Sequence, residues 1–349
     1  MRIARSAAVA LTVLACALVP AGAAASSQSV VTRPVVFSVR NLNRTPVSCS
    51  TDGAAYQIHG LIVGPASSLA RSGGAATLYL HGLGFGVFFW DFGAVPGYDF
   101  AAAMATAGHV SVIVDRLGYG ASDHPPGTQS CIGGQADIGH QIVQQLRAGT
   151  YSTTKREPIS FARIALVGHS AGGAIAQVES YSFRDVDALG VLSWADQGSS
   201  TLATTDFLQA GSVCMNGGET SDGAPGYAPF GQTAADFDAA MFFDTDPAVV
   251  AATNQLRNLD PCGDDNSIVA AINEDHLTVP TITVPVLLVF GANDALFPPP
   301  AGIAQQVEFF GSRDASLIQL PDTGHALTLD RSAPTFTADI SRWLAARGF

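Results

Sequence analysis

The apolar run Arg163 to Val167 leads directly into Gly168-His169-Ser170-Ala171-Gly172, and that pentapeptide into a helix-compatible stretch ending at Phe183. No other feature limits the fold so sharply. A strand can turn into a helix over so few residues only where side chains are missing on both flanks of the bend, and Gly168 and Gly172 supply that. The serine between them is lifted above the edge of a sheet, at a helix N-terminus whose dipole favours negative charge. A chain built around such a turn needs strands and helices in alternation.

That alternation is present. Strands are predicted at Val35 to Val39, Tyr56 to Val63, Ala76 to Leu80, Val110 to Val114, Arg163 to Val167, Ala188 to Trp194, Pro285 to Phe290 and Ala315 to Leu320. Helices are predicted at Asp99 to Ala107, Ile138 to Ala148, Ala171 to Phe183, Ile303 to Phe310 and Pro334 to Ala346. The fold class is α/β, with a mostly parallel central sheet covered by helices on both faces. The rhythm breaks between Trp194 and Pro285, where residues are richer in Asp, Gly and Ala and helix-like pieces occur at Ala234 to Phe242 and Pro247 to Arg257. Residues 199–279 are read as a cap inserted into a catalytic domain made of 26–198 and 280–349.

A serine hydroxyl is a weak nucleophile and needs a base. Of the histidines C-terminal to Ser170, His276 falls in the cap and His325 in Pro321-Asp322-Thr323-Gly324-His325-Ala326, just after the last strand and before the last helix. His325 is the expected base. The strand ending at Phe290 is followed by Gly291-Ala292-Asn293-Asp294, which puts a carboxylate at the sheet edge where α/β folds place their sites. Asp294 is the expected orienting acid, and Asp196, just past Trp194, is its rival. The loop after Leu80 reads His81-Gly82-Leu83-Gly84-Phe85-Gly86, and its glycines let backbone N–H groups turn inward. Leu83 and Ala171 are the expected oxyanion donors, with His81 holding the loop. Asp115 and Arg116 are expected to tie down the loop after their strand.

The opening residues have a basic start at Arg2 and Arg5, an apolar run from Ala7 to Val19, then Pro20 and small residues to Ala25. This layout predicts a cleaved secretory signal over 1–25, with lipoprotein processing at Cys16 as the alternative. The other cysteines are Cys49, Cys131, Cys214 and Cys262. In an exported chain they read as two disulfides with three possible connectivities, Cys49 with Cys131 and Cys214 with Cys262 being preferred. No pair has close zinc-ligand spacing, and no metal or other cofactor is expected. Asp260, Asp264, Asp265 and Asn266 could ligate calcium, but the preferred reading is a solvated acidic loop. With 13% charged residues and a net charge of -12, the surface should repel nucleic acid and anionic membrane. No stable membrane association is expected, and the sequence leaves the oligomeric state open.

The loop at His81, the segment Asp115-Arg116-Leu117-Gly118-Tyr119-Gly120-Ala121-Ser122, the turn at Ser170, the acid at Asp294 and the loop at His325 together resemble the landmarks of the α/β-hydrolase family, in its order. The resemblance runs from about Ala76 to the C-terminus. It implies a cofactor-free enzyme, an acyl-enzyme on Ser170 and a cap that shapes the pocket. The leading expectation is a secreted esterase acting on small-molecule carboxylic esters. Alternatives are an amidase or peptidase, a lactonase or a perhydrolase with the same triad, or a non-catalytic binding protein on the same scaffold. Phe88, Phe89 and Trp90 beside the glycine loop, and Met241 and Phe242 in the cap, are candidate substrate-binding residues.

Overall fold

The computed structural model describes residues 29–154 and 156–349. The predicted signal segment and Cys16 lie outside them. The main sheet contains β1 (Val30–Arg40), β2 (Ala55–Pro65), β3 (Gly74–Leu80), β4 (Ser111–Val114), the two-residue β5 (Ser152–Thr153), β6 (Phe161–His169) and β7 (Ala188–Leu192). A small second sheet contains β8 (Glu219–Ser221), β9 (Ala224–Ala228) and β10 (Asp260–Pro261), and β11 (Val286–Gly291) and β12 (Ala315–Leu320) complete the main one. The main order is β12-β11-β7-β6-β3-β4-β2-β1-β5. From β12 through to β4 every neighbouring pair is parallel, whereas β2 runs antiparallel to both β4 and β1.

The central strands are buried on both faces, as a parallel sheet covered by helices requires: β4, β7 and β11 have no exposed residue. Helices α1 (Phe100–Thr106), α2 (Ile132–Ala148), α3 (Ala171–Phe183), α8 (Ala301–Glu308) and α9 (Ala333–Ala345) frame the sheet, and α4 (Thr201–Met215), α5 (Ala234–Met241), α6 (Pro247–Leu256) and α7 (Cys262–Thr278) come from the segment between β7 and β11. That segment shares the main apolar core: Phe230, Phe237, Met241 and Ile268 are buried in one cluster with Leu78, Val167 and Leu288. Helix α7 packs on α2 and α3.

Differences from the sequence reading have local causes. Helix α2 starts at Ile132, earlier than predicted, because Gly133 and Gly134 are poor helix formers yet allow close packing: a Cβ on Gly134 would come within 2.7 Å of Thr51. The stretch expected as a solvated acidic loop runs from β10, where Asp260 is buried, into the first turn of α7, which carries Asp264 and Asp265 at the positive end of the helix dipole. Asp264 is fully buried against Arg116, at 2.8 Å. Helix α4, not foreseen, is capped by Ser200, whose hydroxyl accepts the Ala203 N–H at 3.1 Å. Disulfides join Cys49 to Cys131, pinning the loop after β1 to the start of α2, and Cys214 to Cys262, joining the end of α4 to the start of α7. Among the described residues no helix is long and apolar enough to cross a membrane.

Candidate active site

Ser170 stands between β6 and α3 with φ 54° and ψ −126°, a backbone region that residues with side chains seldom occupy. The bend holds because its glycines leave no room for anything else. A Cβ on Gly168 would stand 1.9 Å from the Gly172 carbonyl oxygen, and one on Gly172 would stand 2.4 Å from that of Leu80. Across the sheet edge, the Ser170 N–H donates to the Leu192 carbonyl at 2.8 Å. Ala171 is the first residue of α3, so its N–H has no acceptor within the helix and faces the turn.

The loop after β3 lies against the same serine: a Cβ on Gly82 would come 2.8 Å from Cβ of Ser170, so only glycine lets the chain pass there. This puts Leu83, the next residue, beside the elbow. His81 braces the loop from below. Its Nδ1–H donates to the Gly82 carbonyl at 2.8 Å and its Nε2 accepts the Arg116 N–H at 3.1 Å, which fixes one neutral tautomer. Burial, with Arg116 nearby, holds the His81 imidazole well below its ordinary range. Arg116 donates to the His81 carbonyl at 2.9 Å and to Asp264 at 2.8 Å, and Tyr119 donates to the same carboxylate at 3.1 Å. The Gly84 N–H donates to Asp260 at 2.6 Å, tying the far end of the glycine loop to β10. Asp115 accepts the N–H groups of Val87 and Ala121.

At the ends of β11 and β12 the other two residues meet. His325 Nδ1 lies 3.0 and 2.9 Å from the two carboxylate oxygens of Asp294, with both side chains fully buried. Asp294 is oriented by its own turn, Oδ1 accepting the N–H groups of Leu296 and Phe297 at 2.9 and 3.0 Å. With Nδ1 as donor, the neutral ring carries its lone pair on Nε2, which has no hydrogen-bond partner among the described residues. The loop is pinned from two sides. His169 Nε2 donates to the His325 carbonyl at 2.9 Å, and the Ala326 N–H donates to the Met241 carbonyl at 2.9 Å.

Asp196 is not at this centre. Its carboxylate accepts from Trp194, Gln177 and Gln305, and Gln177 also bonds Asp275 at 3.0 Å. Burial, with Asp196 beside it, drives the Asp275 carboxyl well above the usual range, and Gln177 of α3 links the two acids. His276 is part-exposed, 3.9 Å from Glu308.

The candidate substrate-binding residues divide. Trp90 is packed wholly within the core against Tyr79 and Phe100, and Phe89 stacks on His169 at 4.2 Å between ring centroids. Phe88 is half-buried against Phe85, Met241 is buried below the His325 loop and Phe242 borders Phe237. A separate apolar hollow of about 440 Å³ opens between α4 and α7. Trp194, Phe207, Ile268 and Phe297 line it. The Phe297 ring stands between the hollow and His325, 5.3 Å from Trp194 and 6.0 Å from His325. Its residues come from the segment after β7, from α4 and α7, and from the loop after β11, so no local pattern announces it.

Comparison with curated proteins finds no match in sequence. Among solved structures, the chain is similar to a thermophilic esterase from Thermogutta terrifontis, with 17% identity over 89% of this chain and 99% of that one and a TM-score of 0.61. It is also similar to a monoacylglycerol lipase from Paleococcus ferrophilus (17% identity, 79% and 96% covered, TM-score 0.57) and to an esterase from Exiguobacterium antarcticum (18%, 88% and 100%, 0.58). At this identity the likeness is one of fold. The description "Alpha/beta hydrolase family" matches residues 78–340, a span that takes in the glycine loop, the elbow and both the acid and histidine turns, and the chain therefore belongs to the alpha/beta hydrolase family.

Proposed function

We propose that the protein is a secreted serine hydrolase that cleaves small carboxylic esters through an acyl-enzyme on Ser170. The observation that carries this reading is the buried His325–Asp294 pair, its Nε2 left unpartnered on a loop that His169 fastens to the elbow. His325 Nε2 takes the Ser170 hydroxyl proton as Oγ attacks the ester carbonyl carbon. The negative charge that forms on the carbonyl oxygen is met by the N–H groups of Leu83 and Ala171, each worth about 2.7–4 kcal/mol of barrier. His325 then gives its proton to the departing alkoxide, which leaves as the alcohol. Water attacks the acyl-Ser170 carbonyl by the same steps, releasing the acid and restoring the serine.

The relatives of like fold named above include esterases and a lipase, which favours an ester among carbonyl substrates. The apolar hollow beside Phe297 is suited to the hydrocarbon part of such a substrate, with Phe88, Phe89, Trp90, Met241 and Phe242 supporting the walls nearer the glycine loop. Residues 199–279 act as the cap over this region. Two disulfides suit an oxidising compartment, in keeping with the signal-like pattern of residues 1–25. The test is labelling of purified protein by a fluorophosphonate probe, with hydrolysis of a chromogenic ester, amide and lactone panel. Labelling lost in Ser170→Ala and turnover greatest on esters is the expected result. Labelling that persists in that variant removes Ser170 from the mechanism.

A further inference from the structure

On the side of α3 remote from the elbow, His140, Glu179 and Asp185 converge, with their ligand-type atoms all within 4.8 Å of one another. Glu179 is fully buried on α3, and its carboxylate oxygens meet no donor among the described residues, their side-chain neighbour being the Asp185 carboxyl. Asp185 follows the helix, one residue after Arg184 turns the chain with φ 55°. Its Oδ2 accepts from His140 Nδ1 at 2.7 Å and from Gln144 at 2.5 Å, while its buried Oδ1 has no partner. The His140 ring lies flat on Phe183, with centroids 4.0 Å apart and planes at 12°, so the direction of its nitrogens is set by packing.

A carboxyl group as buried as that of Glu179, beside a second carboxylate, is costly to ionise without a positive charge close to it. The nearest guanidinium, that of Arg147, offsets this only in part. Arg147 bonds Asp187 and the carbonyls of Ala162 and Asp185, and Arg44 pairs with Asp137 and lies over Phe183. Burial first, then Asp185, pushes the Glu179 carboxyl well above its ordinary range. Glu179 is therefore a buried acceptor that a proton or a metal ion can satisfy.

We propose that His140, Glu179 and Asp185 form a site for one divalent transition-metal ion, zinc by preference. One imidazole and two carboxylates are a donor set that zinc accepts, and water can complete the tetrahedron. The side chains of His140 and Asp185 are 18% and 16% exposed, which gives the ion a way in from solvent. On binding, the His140 ring proton is carried on Nε2 so that Nδ1 is free to ligate, and the proton that Glu179 holds passes to solvent, so affinity falls as pH falls. Glu179 lies nine residues beyond Ser170 along α3, about 13 Å at the helical rise, so the ion braces α2 against the far end of the nucleophile's helix and takes no part in the chemistry. Sequence reading gave no sign of it, because the three residues come from two helices and a loop.

The test uses the whole protein, stripped with a chelator and titrated with zinc chloride by calorimetry, with cobalt(II) visible absorption as a second readout. One ion per chain and a zinc-dependent rise in Tm are expected for the wild type. In His140→Ala, Glu179→Gln and Asp185→Asn, affinity should drop on the order of 100-fold and Tm should cease to respond to zinc. No uptake by the wild type overturns the proposal. Uptake undiminished in His140→Ala and Asp185→Asn, whose partly exposed side chains can be replaced without emptying the core, overturns it as well.

Discussion

The residue before the elbow serine holds the residue proposed as its base: His169 Nε2 donates to the backbone carbonyl of His325 across 2.9 Å, so the β6 turn and the loop after β12 are one mechanical unit. Burial first, and then His325 nearby, keep the His169 imidazole well below its ordinary range, so it stays a neutral donor throughout the working pH range. Stacking on Phe89 fixes its plane. His169→Phe keeps the stacking and removes the donor. We expect kcat on a nitrophenyl ester to fall about 10- to 100-fold with KM little changed, because a shift on the order of 1 Å in the base suffices for that. An unchanged kcat would show that the loop needs no such tether.

The strained backbone at Ser170 makes a second prediction. A conformation of this kind costs about 1–3 kcal/mol, and glycine relieves it. Ser170→Gly should therefore raise the thermal midpoint while reducing esterase turnover by a factor on the order of 10⁴ or more. A lowered midpoint would mean that contacts of the hydroxyl outweigh the strain.

Asp294 and Asp196 occupy similar places after neighbouring strands, yet different effects are expected on replacing them. Asp294→Asn should lower kcat about 10⁴-fold, since the amide no longer holds the Nδ1–H tautomer of His325. Asp196→Asn turns an amide toward the donors of Gln177, Trp194 and Gln305, and should cost about 1–3 kcal/mol of stability while leaving kcat within a few-fold. Steady-state kinetics paired with urea unfolding separate the two, and the reverse ranking in kcat would reassign the acid.

Stability should depend on pH through the start of α7. Burial, with Asp260 and Asp264 beside it, raises the Asp265 carboxyl to about 7, and burial raises Asp260 to about 6. Both lie above their unfolded values, so the native state binds more protons between those values. The stability they contribute is complete at low pH and is lost as pH climbs through about 6 and then 7. Asp265→Asn should flatten the upper part of this decline in denaturant midpoints measured across the range. A wild-type profile that rises there would contradict the burial argument.

Replacing Cys214 and Cys262 together with alanine opens a loop of 48 residues and should remove about 4 kcal/mol of stability by loop-closure entropy. Faster hydrogen exchange should be confined to α4 and the first turns of α7, which the bridge joins. Exchange that quickens equally in the central strands would show that the segment between β7 and β11 is not an independently loosening unit.

The strands of the main sheet were legible because burial on both faces demands continuous apolar runs, and Val286–Gly291 or Ala188–Leu192 can be little else. The helices α4 and α7 escaped notice because their stabilising features are tertiary. Helix α7 begins with Cys262, Gly263 and two aspartates, a loop-like string until Arg116 neutralises Asp264 and the disulfide anchors its start. The short strands β8 to β10 carry too few residues to show any period.

What the sequence determined by itself was the order of landmarks along the chain: glycines where the backbone must bend at Ser170, a carboxylate and a histidine one turn past their strands, and cysteines enough for two bridges. These are local requirements, and local composition records them. The turn after Phe290 favoured Asp294 over Asp196, and tertiary structure settled which acid meets His325, since Gln177, Trp194 and Gln305 claim Asp196. Tertiary structure alone opened the hollow beside Phe297 and drew His140, Glu179 and Asp185 together. Contacts between distant segments are set by how the helices pack on the sheet, and no short stretch of sequence encodes that packing.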